Sequence, residues 1–90
     1  GRHDLSPLQA RLLGTLARGA PPEPNVGLLA RELDLAQPTV TDAVAGLERK
    51  GLVARAPDPT DRRRSRLCPT ARGRRVADEL AAADEALANA

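Results

Sequence analysis

Apolar residues recur along this chain first at helical spacing and then, briefly, at a strand-like one. Leu5, Leu8, Leu12, Leu13 and Leu16 repeat every three to four residues and predict a helix over residues 6–18. Ser6 is placed to cap it, and Pro7 takes the first helical position, where its missing N–H costs nothing. Gly19 is the stop, and residues 20–24, with three prolines, read as a loop. A second helix is predicted over 26–33, with Asn25 as N-cap and Leu28, Leu29 and Leu33 as its buried face. Asp34, Leu35 and Ala36 make the turn out of it.

The third helix is predicted over 37–50. Val40, Val44 and Leu47 share one face, whereas Pro38, Thr39, Asp42, Ala45 and Arg49 lie on the other. Arg49 and Lys50 suit the last turn, where the helix dipole favours cations, and Gly51 ends it. Ala36 offers no capping side chain, which weakens this helix start by about 1 kcal/mol. Leu52 to Ala56 then reads as a strand, Pro57 to Arg64 as a turn and Ser65 to Cys68 as the returning strand, a hairpin within 52–69. Pro69 cannot donate to a ladder and should end the second strand. Thr70 can cap a last helix over 71–88, with Val76, Leu80, Ala83 and Leu87 along one stripe. Helix, two helices joined by a short turn, hairpin, helix is a winged helix-turn-helix order: mainly α with a small β-hairpin, one domain over residues 1–90.

Charge changes the picture most at the hairpin. Of the 14 basic residues, 13 are Arg, and residues 55–75 hold eight Arg against Asp58 and Asp61. Residues 76–90 hold four acids and no base. Four arginines between positions 62 and 66, after Pro57 and Pro59, place several guanidiniums at one turn. Like charges so gathered repel unless an anion meets them, and a nucleic-acid groove is such an anion. A disordered, solvated charge run is the competing and less favoured reading of the block.

The core must be aliphatic, since the chain has no Phe, Tyr, Trp or Met. Base stacking on aromatic rings is therefore excluded, which argues against single-strand and many RNA readers. One cysteine, Cys68, permits no internal disulfide and reads as strand filler. His3 has no neighbours at metal-ligand spacing and reads as solvent-exposed. Acidic neighbours such as Asp78-Glu79 and Asp84-Glu85 do not face each other on a helix and read as surface. No nucleophile with a base, phosphate-cradling Gly loop or metal cluster is present, so no enzyme, cofactor or metal is expected. No apolar run is long enough for a membrane span, and the expected location is cytoplasmic.

Five segments, in order, resemble the MarR family of winged helix-turn-helix regulators. They are Leu29-Ala30-Arg31-Glu32-Leu33, Gln37-Pro38-Thr39-Val40-Thr41, Leu47-Glu48-Arg49-Lys50-Gly51-Leu52-Val53, Asp58-Pro59-Thr60-Asp61-Arg62-Arg63, and Thr70 with Gly73. The resemblance implies a double-stranded DNA partner and a transcriptional regulator, with repression as the family habit. The helix after the turn would be the recognition helix, entering the major groove by its N-terminal end. Gln37 can pair with adenine edges, and Thr39 and Thr41 with phosphate or a thymine methyl; taken without the surrounding pattern, ordinary capping and first-turn solvation is the better account of these residues.

In the hairpin, or wing, the resemblance implies that Asp61 orients the loop and Arg63, while Arg62 probes the minor groove. Arg64 and Arg66 alternate along the strand and should point outward. Arg55 is a candidate for flanking phosphate, and Arg72, Arg74 and Arg75 read as solvent-exposed. The expected DNA-contacting set is thus Gln37, Pro38, Thr39, Thr41, Asp42, Arg55, Asp61, Arg62, Arg63, Arg64 and Arg66.

The chain departs from the family at Asp42, where Arg is common: an acid there repels phosphate or accepts from a cytosine amine. It also lacks the N-terminal dimer helix of the family and has a shortened C-terminal one. Either it is an excised DNA-binding lobe, whose effector site belongs to the full-length form, or it dimerises through the last helix. Packing onto the first helix is the simpler use of the stripe from Val76 to Leu87. Asp42, the missing dimer helices and the low net charge motivate an alternative, a winged-helix module that binds protein and DNA weakly or not at all.

Overall fold

The computed structural model describes residues 4–19 and 24–88, backbone alone for 84–88. His3, residues 20–23 and the side chains of Asp84, Glu85 and Leu87 lie outside the described residues. The elements are α1 (Pro7–Arg18), α2 (Val26–Leu33), α3 (Gln37–Arg49), β1 (Val53–Pro57), β2 (Ser65–Pro69) and α4 (Ala71–Ala88).

Helix boundaries follow local chemistry. Ser6 Oγ accepts from the Gln9 amide at 3.1 Å, and Gln9 Oε1 accepts from the Ser6 amide at 3.0 Å, a reciprocal cap that starts α1. Gly19 closes it in the left-handed region, φ 70°. Asn25 Oδ1 accepts from the Leu28 amide at 2.8 Å and starts α2. Asp34 ends α2 at φ 55°, a conformation a short polar side chain tolerates. No side chain caps α3 at Ala36, and Lys50 is its C-cap rather than its last residue.

Both strands run one residue past the expected ends. The antiparallel ladder pairs Val53 with Pro69 and Pro57 with Ser65. Proline is admissible at these ends, where no N–H is required of it. The far edge of β2 is not bare: the Leu67 amide donates to the carbonyl of Pro24, a buried residue, at 2.8 Å. The end of the proline-rich loop thus acts as a partial third strand.

Leu12, Leu13, Leu29, Val40, Val44, Leu47 and Leu67 form a core inaccessible to solvent, one residue or more from each of α1, α2, α3 and β2. Two expectations fail. Leu28 is 45% exposed, and Ala30 takes its place in the core. At about 100° per residue, Leu29, Ala30 and Leu33 share one arc, and Leu28 lies on its outer flank. Ala83 is exposed, because α4 meets the body through Val76, Ala77 and the half-buried Leu80 and stands clear from Ala81 to Ala83. Thr15 is buried, and its hydroxyl donates to the Arg11 carbonyl at 2.9 Å.

One joint sets the angle between α3, the hairpin and α4. Gly51 leaves α3 at φ 72°, and the Leu52 amide donates to the Leu47 carbonyl at 3.0 Å. Thr70 then binds back across the hairpin: its amide donates to the Leu52 carbonyl at 3.0 Å and its hydroxyl to the Gly51 carbonyl at 2.7 Å. The same hydroxyl accepts from the Gly73 amide at 3.0 Å and so caps α4. A β-carbon at position 73 would lie 2.0 Å from the Leu52 carbonyl oxygen. At the other side, Lys50 Nζ donates to the Asp4 carbonyl and, at 3.2 Å, to Gln9 Oε1, tying the end of α3 to the start of α1. Among the described residues, no helix is long and apolar enough to cross a membrane.

Glycine at 73 is therefore a packing requirement of the joint. Gly73→Ala is expected to destabilise the domain by about 1–3 kcal/mol, the usual cost of overpacking a filled site. Urea unfolding followed by circular dichroism measures it, as a lower midpoint at unchanged slope.

Candidate nucleic-acid interface

The start of α3 carries a bare positive end. Backbone N–H groups of a first helical turn lack intrahelical partners and seek an acceptor. Ser6, Asn25 and Thr70 supply one in α1, α2 and α4. Ala36 supplies none in α3, and Pro38 removes one donor from the same turn. Gln37, Pro38, Thr39, Thr41 and Asp42 are all exposed around this end. The outer row that continues from it, Pro38, Asp42, Ala45 and Arg49, contains no bulky apolar residue.

The hairpin turn is ordered by two carboxylates. Asp58 Oδ1 accepts from the Thr60 hydroxyl at 2.7 Å and the Thr60 amide at 2.8 Å. The Thr60 hydroxyl, then its amide, hold the Asp58 carboxyl below the ordinary aspartate range, with a smaller pull from the Arg66 charge. Asp61 Oδ1 accepts from the Arg63 amide at 2.9 Å. Its two oxygens also stand 3.5 Å from Nε of Arg63 and of Arg64. The acid therefore shapes the turn through backbone while leaving both guanidiniums in water: the Arg63 side chain is 92% exposed. Ion pairs this exposed add little stability, so the contacts orient the arginines more than they hold the fold.

A groove of about 750 Å³ joins the two regions. Gln37 at the start of α3 and Arg55, Arg63 and Arg64 of the hairpin line it together. Pro38, Thr39, Thr41 and Asp42 lie on the exposed surface of α3 beside it, and Arg62 is exposed at the turn. Two expected positions are altered. Arg66 is half-buried in β2 rather than pointing freely outward, near enough to Asp58 to lower its pKa. Arg55 donates to Glu48 at 2.8 Å, so its charge is already balanced by α3. Arg72, Arg74 and Arg75 are exposed, as their sequence positions predict, and Arg72 donates to the Lys50 carbonyl at 3.3 Å.

Asn25, the N-cap of α2, and Arg31 within it also line the groove, although the apolar pattern of α2 predicts only a packing role for that helix. Arg31 lies outside the buried arc of α2 and was findable as a cation facing out from a helix next to the turn. The exposed Leu28 lines the groove too. Among the described residues, no three His, Cys, Asp or Glu are grouped to hold a metal, and Cys68 is a half-buried free thiol.

A sequence model of the MarR family matches residues 3–64. The Staphylococcus aureus MepR–DNA complex superposes with a TM-score of 0.87 at 26% identity, over 96% of this chain and 69% of that one. Streptococcus pneumoniae FabT in complex with DNA superposes at 0.85 and 26% identity, over 96% of this chain and 59% of that one. MepR alone, the S. aureus regulator of the multidrug efflux pump MepA, superposes at 0.89 and 24% identity, over 98% of this chain and 64% of that one, a likeness of fold. The chain thus spans between 59% and 69% of the length of these proteins. No curated protein matches its sequence significantly.

The Asp58 turn has a pH signature. A carboxyl held below its unfolded value stabilises the turn above the ordinary aspartate range, and that contribution disappears as pH falls through the depressed folded value. In an NMR titration Asp58 should therefore titrate below ordinary aspartates, and Thr60→Val, which removes the hydroxyl donor, should move its midpoint up.

Proposed function

The chain belongs to the MarR family, and on that footing we propose that it binds duplex DNA sequence-specifically as a transcriptional regulator. The observation that carries the reading is the groove lined by Gln37 from the start of α3 together with Arg55, Arg63 and Arg64 from the hairpin. An open helix start with spare backbone donors and a cluster of guanidiniums meet there, and both seek phosphate. Known relatives of this fold, MepR and FabT, have been solved with DNA.

In this reading α3 enters the major groove by its N-terminal end. Gln37 pairs with an adenine edge, and Thr39 and Thr41 bond phosphate or meet a thymine methyl. Pro38 stiffens the first turn and keeps it compact. Arg62 at the wing tip enters the minor groove, where a narrow A·T tract concentrates negative potential. Asp61 holds the turn that presents Arg62, Arg63 and Arg64, and the last two meet phosphate. Arg66 and the Glu48-bound Arg55 support the base of the wing and add charge at its flank.

Covering a promoter duplex blocks other proteins there, so we assign repression as the output. In this reading the protein works in the cytoplasm of a bacterium, where the duplex is, as a binding protein and not as an enzyme. A second copy would meet this one along the outer face of α4, where Ala81, Ala82 and Ala83 are exposed beyond the contact with α1. The part of the relatives' length that this chain does not span is where a small-molecule effector site of a full-length form would lie.

Arg62→Ala combined with Arg63→Ala is expected to weaken duplex binding at least tenfold while unfolding remains cooperative. Fluorescence anisotropy of labelled A·T-rich duplex across a salt series tests it. The slope of log affinity against log salt should shrink by about 0.9 for each phosphate that the variant no longer neutralises. Unchanged affinity and slope would overturn the reading.

A further inference from the structure

We infer that Asp42 is a specificity-determining residue that selects a cytosine in the major groove; the inference rests on the DNA-binding reading above. Asp42 sits in the second turn of α3, within the outer row of exposed Pro38, Asp42 and Arg49 and half-buried Ala45. Its carboxylate has no hydrogen bond or ion pair among the described residues. The other acid of α3, Glu48, is engaged by Arg55 at 2.8 Å, so Asp42 is the acid left facing outward on the docking surface. Its neighbours along the row toward the helix start and middle, Pro38 and Ala45, have no side-chain donor that could neutralise it. Arg49 is seven residues on, about 10 Å along the axis at 1.5 Å per residue.

An ionised carboxylate only accepts hydrogen bonds. On docking it loses water, and a buried acceptor left unmatched is costly. Phosphate repels it. Of the major-groove edges, guanine presents the acceptors N7 and O6, and thymine presents O4 beside a methyl group. Adenine presents the N6 donor, but next to the N7 acceptor, which faces the second carboxylate oxygen. Cytosine presents the N4 donor beside a C5–H, with no acceptor on its own edge; the nearest one is O6 of the paired guanine. Among the four edges, cytosine alone satisfies Asp42 without opposing it. The short side chain and the small residues around it bring the helix close enough for direct contact.

The test is selection of binding sites from a randomised duplex library by the full chain, by Asp42→Ala and by Asp42→Asn, with each winning duplex then titrated by anisotropy. The wild-type chain should enrich a motif with a required cytosine at one position, and replacing that cytosine should weaken binding roughly five- to hundredfold, the range of one good base contact. Asp42→Ala should lose the preference at that position alone and bind duplexes lacking that cytosine more tightly, having shed an acceptor they leave unmatched and a charge that phosphate repels. Asp42→Asn should change the preference there from cytosine to adenine, because an amide offers one donor and one acceptor to N7 and N6. A side chain acting only through folding or general charge would produce no such switch. If the wild type and Asp42→Ala enrich the same motif, this inference is overturned and the DNA-binding reading stands. If the wild type enriches no sequence, both are overturned.

Discussion

Gly73 lies so close beneath the Leu52 carbonyl that a single added carbon would sit 2.0 Å from that oxygen, and the geometry of the binding surface depends on this approach. The hairpin leaves α3 at Gly51 and returns at Thr70, and the Thr70 amide and hydroxyl bind the two consecutive carbonyls of Leu52 and Gly51. The same hydroxyl caps α4. Three elements are thereby fastened at one point, by backbone groups and the one hydroxyl they share. A wing can be aimed relative to a neighbouring helix only if its root is rigid. Here the root is rigid because glycine permits contact between α4 and Leu52, the residue just before β1.

From that root the surface divides its charge by position. Arg55, near the base, is balanced by Glu48, and Arg66 is half-buried beside the turn carboxylate Asp58. Arg62, Arg63 and Arg64, farther out, remain exposed, with Asp61 bonded chiefly to backbone. Cations at the base serve the hairpin, and cations at the tip remain available to a partner. The open start of α3 complements them. Stability is given up at a helix end that ligand phosphate could complete, whereas α1, α2 and α4 complete their own ends with Ser6, Asn25 and Thr70.

Asp42 acts against the rest of this surface. A face built from guanidiniums and bare amides attracts any duplex, since phosphate contacts carry no sequence information. In the proposed role, one acid on the docking row weakens that indiscriminate attraction and is satisfied only by a base-edge donor. Discrimination by a penalty against wrong partners needs less contact area than discrimination by added contacts, which suits a domain with a small aliphatic core and no aromatic side chains.

Features settled within a turn or two of chain could be read from the residues alone. The caps at Ser6, Asn25 and Thr70, the stops at Gly19 and Gly51, the open start at Ala36 and the order of elements were all legible there, because capping and periodicity act over three or four residues. The turn chemistry of Asp61 was legible through a family resemblance, and its bond to the Arg63 amide shows the physical basis. Tertiary structure decided the rest. Ala30 rather than Leu28 enters the core, since only the packing partner of α2 selects which arc is covered. Pro24 closes the edge of β2 from far away in the chain, and Glu48 takes up the charge of Arg55 from another element. The steric need for glycine at position 73 exists only once Leu52 lies against it. Each of these depends on which residues distant in sequence come to touch, and hydrophobic periodicity carries no information about that.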